Sequence, residues 1–189
     1  MSLAGRSLPV TEEHRPATHD HDGQFRMSDL ERRMRRLEAL EAIRTCIFSY
    51  AAAGDRHNDP KVVSRLFAED GSYEMVGLMH AIGREEVVRQ LTEIGETFVL
   101  FSFHHPGGPL IELADDGLTA RAFWWCWIPV RVSNGDGTSS TRFGAGHYNG
   151  QFKEVGGEWK IAKMKFEPKL QAPVEAPWSE IEGEFEWLV

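Results

Sequence analysis

Few of the features that betray a cofactor or a scaffold are present in this chain. Cysteine is nearly absent, with Cys46 and Cys126 alone, too few for a disulfide framework; both are read as buried free thiols. No run of about 18 apolar residues occurs, which excludes a membrane-spanning helix of the ordinary kind. The N-terminal residues lack an apolar stretch behind basic ones, so no secretory signal is read there and a cytoplasmic protein is expected. Basic excess is missing as well. The formal net charge is −8, whereas a nucleic-acid binder needs a basic face to neutralise phosphates. Arg32, Arg33, Arg35 and Arg36 do cluster, but they alternate with Glu31 and Glu38 as a solvated helix face does. No glycine-rich phosphate loop opens a helix after a strand. The eight histidines form no HExxH or Cys-paired ligand set. No metal and no cofactor are expected.

What remains is ordinary globular material, with 41% hydrophobic and 26% charged residues over 189 positions. Residues 1–26 are polar and without periodicity and read as an arm; His14, His19 and His21 within it read as solvated. Ser28 and Glu31 are spaced as a capping box. Leu30, Met34, Leu37, Ile43, Ile47 and Tyr50 then recur as one helical stripe up to Gly54. Asp59-Pro60 reads as the N-cap and first-turn proline of a short helix, with Val62, Val63, Leu66 and Phe67 inward. Asp70-Gly71 is a turn before a strand over 72–76, and Gly83-Arg-Glu-Glu opens a third helix.

Five β-rich runs follow, over 97–104, 109–114, 119–132, 140–154 and 158–166. Asp115-Asp116-Gly117, Asn134-Gly135-Asp136-Gly137 and Gly156-Gly157 break them as hairpin turns. The expected fold class is α+β: three N-terminal helices on a strongly curved antiparallel or mixed sheet. The arm (1–26), one domain (27–170) and a C-terminal extension (171–189) acting as lid or subunit contact complete the expected organisation.

The order Ile43…Tyr50-x4-Asp55-x3-Asp59…Leu66-Phe67-x2-Asp70-Gly71, then Gly83-Arg-Glu-Glu, then Gly157-Glu-Trp159-Lys-Ile161, resembles the SnoaL-like branch of the NTF2-like superfamily. The resemblance implies a cone of helices over a bent sheet with an apolar pocket inside. Within it the chain is most similar to the scytalone dehydratase, bile-acid dehydratase and hexachlorocyclohexane dehydrochlorinase group, whose members need no cofactor. Carried over residue by residue, the resemblance implies His104 as base, Asp55 as its partner and Tyr50 as an assisting tyrosine. A second histidine and an asparagine of the scytalone dehydratases fall on Val130 and Tyr148 here. An arginine that the other two groups carry on the last strand falls on Lys163.

The chemistry of these residue types agrees with that implication. Histidine is the side chain whose ordinary pKa suits a base near neutrality. A carboxylate on its Nδ1–H sets the tautomer and stabilises the imidazolium, and a phenol can polarise a carbonyl or protonate a leaving group. His104 and His105 lie next to each other on a strand, so one alone can face a pocket. In Phe123-Trp124-Trp125-Cys126-Trp127 the alternation sends Trp124 and Cys126 to one face, and Phe123, Trp125 and Trp127 to the other. Trp124, Ile128, Val130, Tyr148 and Lys163 are the expected substrate-binding residues. Three functional readings follow: a dehydratase-like lyase or isomerase acting on a small hydrophobic ring-containing molecule, a polyketide-cyclase chemistry at the same site, and a non-catalytic ligand-binding or assembly subunit like the β subunits of ring-hydroxylating dioxygenases. A homodimer or homotrimer is expected, with neither nucleic acid nor membrane as partner.

Overall fold

The computed structural model describes residues 21–174, and the chain divides into two units between Met34 and Arg35. Of the first unit the described part, 21–34, is helical, the opening of α1 (His21–Gly54). That helix starts seven residues ahead of Ser28, the expected cap. Leu30, Met34 and Leu37 of the expected stripe are exposed, whereas Ile43, Ile47 and Tyr50 are buried. A period of three to four residues identifies one side of a helix but does not say how far along it a covering layer extends. The arm up to residue 20 and the extension after Val174 lie outside the described residues, Pro177–Val189 with them.

The second unit carries the rest. α2 (Pro60–Leu66) follows α1 after a short turn. Its N-cap Asp59 accepts a hydrogen bond from the Lys61 N–H at 2.9 Å, and Pro60 sits where a missing N–H costs nothing. A hairpin of β1 (Phe67–Met75) and β2 (Met79–Ile82) comes next, so two strands separate α2 from α3 (Arg84–Thr97). The three helices are therefore not consecutive, and β2 is an element the sequence pattern did not announce. β3 (Val99–Ser102), β4 (His105–Pro106), β5 (Leu110–Leu113), β6 (Thr119–Ser133), β7 (Ser139–Val155) and β8 (Glu158–Pro173) complete the described residues.

All eight strands form one sheet in the order β2-β1-β8-β7-β6-β3, with β4 and β5 pairing farther along β6. The sheet is mixed, because β1 runs parallel to β8 while the other pairs are antiparallel. The long strands β6, β7 and β8 curl it into a half-barrel. Register breaks at Ala145/Gly146 and Gln151/Phe152 supply the bend. Val63, Phe67, Val87 and Leu91 from the α2–β1 and α3 segments meet Tyr73, Tyr148, Phe152, Ile161 and Met164 of the sheet in one core. Each such side chain contributes about 1.5–3 kcal/mol when removed from water. Among the described residues no helix is long and apolar enough to cross a membrane.

Two backbone features lock the turn after α1. His57 and Asn58 both adopt positive φ, at 54° and 58°. Asn58 then donates from Nδ2 to the Leu91 carbonyl at 3.0 Å, and His57 Nδ1 lies 3.1 Å from the Gly95 carbonyl. The turn is thereby stapled to α3, and Gly95 is glycine because a Cβ there would stand 2.2 Å from the His57 oxygen. This staple holds the end of α1 in place beside the sheet.

Candidate active site

α1 ends at Gly54, and the next residue aims its carboxylate at β3 and β4. Ser102, the last residue of β3, donates from Oγ to the Gly54 carbonyl at 3.0 Å and so satisfies one of the open acceptors at the helix terminus. Two residues later His104 folds back over the same point. Its Nδ1 lies 2.7 Å from Asp55 Oδ1, and its backbone N–H donates to that same oxygen at 2.8 Å. A carboxylate at a helix C-terminus is disfavoured by the helix dipole; these two donors offset that cost. Since a carboxylate only accepts, Nδ1 carries the proton, and the Nε2 lone pair is left for the cavity. Side-chain exposure is 14% for His104 and 11% for Asp55, so bulk water competes little for the contact. Gly54 makes room for the ring: a Cβ there would come within 2.7 Å of His104 Cε1.

Beside the pair lies a cavity of about 140 Å³, close to the roughly 150 Å³ of an engineered cavity known to hold benzene. Tyr50, His104, Ile128, Val130 and Tyr148 line it. Two glycines of β7 let neighbours close in around it: Gly144, which lines the cavity, lies against the Ile128 carbonyl, and the absence of a Cβ on Gly146 admits the Phe166 ring, which a Cβ would approach to 2.6 Å. His105 pairs with Trp127 on β4 and is exposed.

Tyr50, Tyr73 and Tyr148, one each from α1, β1 and β7, form an edge-to-face cluster with Tyr50 between the others at centroid distances of 5.8 and 6.2 Å. Burial first, and then mutual proximity, pushes all three phenols well above their ordinary pKa of 10. They are hydrogen-bond donors at neutral pH, not phenolates. Burial likewise raises Cys46 to about 11 and Cys126 to about 12, the latter helped by the Asp55 charge. Neither thiol is a nucleophile at neutral pH.

Two expected substrate-binding residues lie elsewhere. Trp124 is buried and stacks on Tyr148 with centroids 5.0 Å apart and planes 6° apart, behind the wall and not in it. The inward face of β6 packs solid at this end because the Phe152 and Trp124 rings together fill the space left by Gly150. Lys163 is exposed, beside a surface groove with Arg121 and Gln151. The pleat decides this: buried Ile161 and Met164 flank it across a register break, and the outward side falls to Lys163. Asn58, Met75, Phe98, Ser102 and Arg142 line the cavity without having been expected there. For Arg142 a signal existed. Counting back from Tyr148 in twos passes Gly146 and Gly144 and arrives at Arg142 on the same face.

A helix-covered, curled sheet with a His–Asp pair beside an apolar cavity defines the class of small cone-like α+β domains. Residues 35–165 match the SnoaL-like domain family, and the chain belongs to it. No curated protein matches it. Among solved structures it is similar to a hexachlorocyclohexane dehydrochlorinase of LinA type 3 from Novosphingobium barchaimii, with a TM-score of 0.68 at 13% identity, covering 76% of this chain and 95% of that one. It is also similar to a candidate scytalone dehydratase from Novosphingobium aromaticivorans, with a TM-score of 0.63 at 20% identity over 76% and 92% of the two chains. An NTF2-like protein with a cystatin-like fold from the same organism gives 0.56 at 23% identity over 80% and 92%. At such identities the likeness is one of fold.

Proposed function

We propose that this protein is a cofactor-independent lyase or isomerase that removes a proton from carbon in a small hydrophobic ring-containing molecule. The observation that carries the proposal is the 2.7 Å contact between His104 Nδ1 and Asp55 Oδ1 at the edge of the cavity. In this reading His104 Nε2 takes the proton. The electron pair of the broken C–H bond becomes a new double bond, and either a leaving group departs from the neighbouring carbon (lyase) or the pair is delocalised and reprotonated elsewhere (isomerase). Asp55 holds the tautomer and stabilises the imidazolium. Tyr50, kept protonated by burial, donates a hydrogen bond to the oxygen or departing group on which negative charge collects. Ile128, Val130 and Tyr148 would contact the ring.

A panel of cyclic ketones with activated C–H bonds tests this without knowledge of the leaving group, by following solvent deuterium entering carbon. Exchange should fall by about 10²-fold or more in Asp55→Asn and in His104→Ala. Full exchange in either variant, with a compound that the wild type exchanges, rules the mechanism out. The assembly-subunit reading draws on a different observation. Trp125 and Trp127 on the opposite face are 53% and 46% exposed, and an aromatic patch of that kind supports packing of copies through that face.

A further inference from the structure

We infer that Arg142 anchors an anionic group of the ligand, so that the substrate is an apolar ring carrying a carboxylate or a comparable anion at the end remote from the reacting C–H. The inference rests on the cavity of the proposed function and adds the chemical class of its occupant. Arg142 belongs to β7 and pairs with Val130 of β6 and Pro173 of β8. It stands on the cavity face two residues beyond Gly144, itself level with Ile128. The bonded neighbour of β3 at that level, Phe103, donates to the Pro129 carbonyl. His104 and Arg142 are thus about two strand spacings across and two residues along, roughly 12 Å between backbones. The cavity they both line, about 140 Å³, has room for one ring.

The electrostatics of the wall are lopsided. Among the described residues lining the cavity, Arg142 is the single lysine or arginine, and no aspartate or glutamate lines it. Asp55 acts there only through His104. Of the other polar linings, Asn58 donates to Leu91 and Ser102 to Gly54, and Gln171 offers a neutral amide that carries no charge to meet an anion. No ion pair of Arg142 exists among the described residues. Half-buried and with no carboxylate beside it among the described residues, this guanidinium gives up hydration without an ion pair there to offset the loss. Its planar fork matches a carboxylate bidentately.

The test is a matched pair, 4-ethylbenzoate and its neutral near-isostere 4-ethylacetophenone, titrated by ligand-observed NMR into the full-length protein. The wild type should prefer the benzoate about tenfold or more, the range of a charge-assisted hydrogen bond. Arg142→Met should abolish that preference and leave the acetophenone affinity within about twofold; Arg142→Lys should keep part of it. A preference that survives in Arg142→Met, or that is absent from the wild type, overturns the inference, as does failure of both compounds to bind. Because the readout is binding, the preference should persist in Asp55→Asn. Loss of turnover chemistry and loss of anion recognition are therefore told apart.

Discussion

At Gly54 the backbone of the first helix and the imidazole of His104 compete for one position. The glycine has no need of unusual dihedrals, since its φ is not among the positive ones. Alanine would suit the backbone and favour the helix by up to about 1 kcal/mol. Its Cβ, however, would reach within 3.0 Å of His104 Nδ1 as well as closer to Cε1, and the ring would have to leave Asp55. Gly54→Ala should therefore fold and melt within about 1 kcal/mol of the wild type while deuterium exchange into substrate falls about 10²-fold, the effect of displacing a catalytic group by an ångström or so. The histidine side-chain NMR signals report the displacement directly. An unchanged His104 environment in the alanine variant would mean that the ring has another resting place.

Between elements the decisive contact is the staple of the α1–α2 turn onto α3. Gly95 lies in the last turn of that helix, where glycine still costs conformational entropy relative to alanine. Here the obstacle to a side chain is backbone, the His57 carbonyl group with oxygen at 2.2 Å and carbon at 2.6 Å, and backbone cannot swing aside. The clash outweighs the gain in propensity. Gly95→Ala should cost about 1–3 kcal/mol in denaturant unfolding, and should also weaken the site, because the same turn carries Asp55. A variant as stable as the wild type would show that the turn can shift without loss.

Over the whole molecule the tyrosines act as a reporter of integrity. The chain has three, and all three meet in one cluster drawn from α1, β1 and β7. Their folded pKa values lie above the unfolded ones. Folded protein therefore holds protons that the unfolded chain releases, and the stability they contribute is complete below about pH 10 and declines as pH rises beyond it. Absorbance at 295 nm should stay flat through pH 10 and then rise in one step that coincides with the loss of near-ultraviolet circular dichroism. A tyrosine that ionises near pH 10 in folded protein contradicts the packing of the cluster.

Local rules in the sequence were sufficient for several of these features. The cap at Asp59-Pro60, the glycine turns that separate the long strands, the alternation that puts Trp124 and Cys126 on one face and Trp125 and Trp127 on the other, and the end of α1 at Gly54 all depend on residues within a few positions of one another. They are set by dihedral preference and the pleat, and they are read directly. The pairing of β1 with β8, by contrast, joins residues about ninety positions apart, and no local preference encodes it. The same holds for the site. Neighbouring residues could nominate His104, Asp55 and Tyr50, but the distance between imidazole and carboxylate, the exclusion of Trp124 and Lys163 from the hollow and the entry of Arg142 into it depend on how far the sheet curls and which strand edge closes the cavity. Those are properties of long-range packing, settled only when the chain has folded.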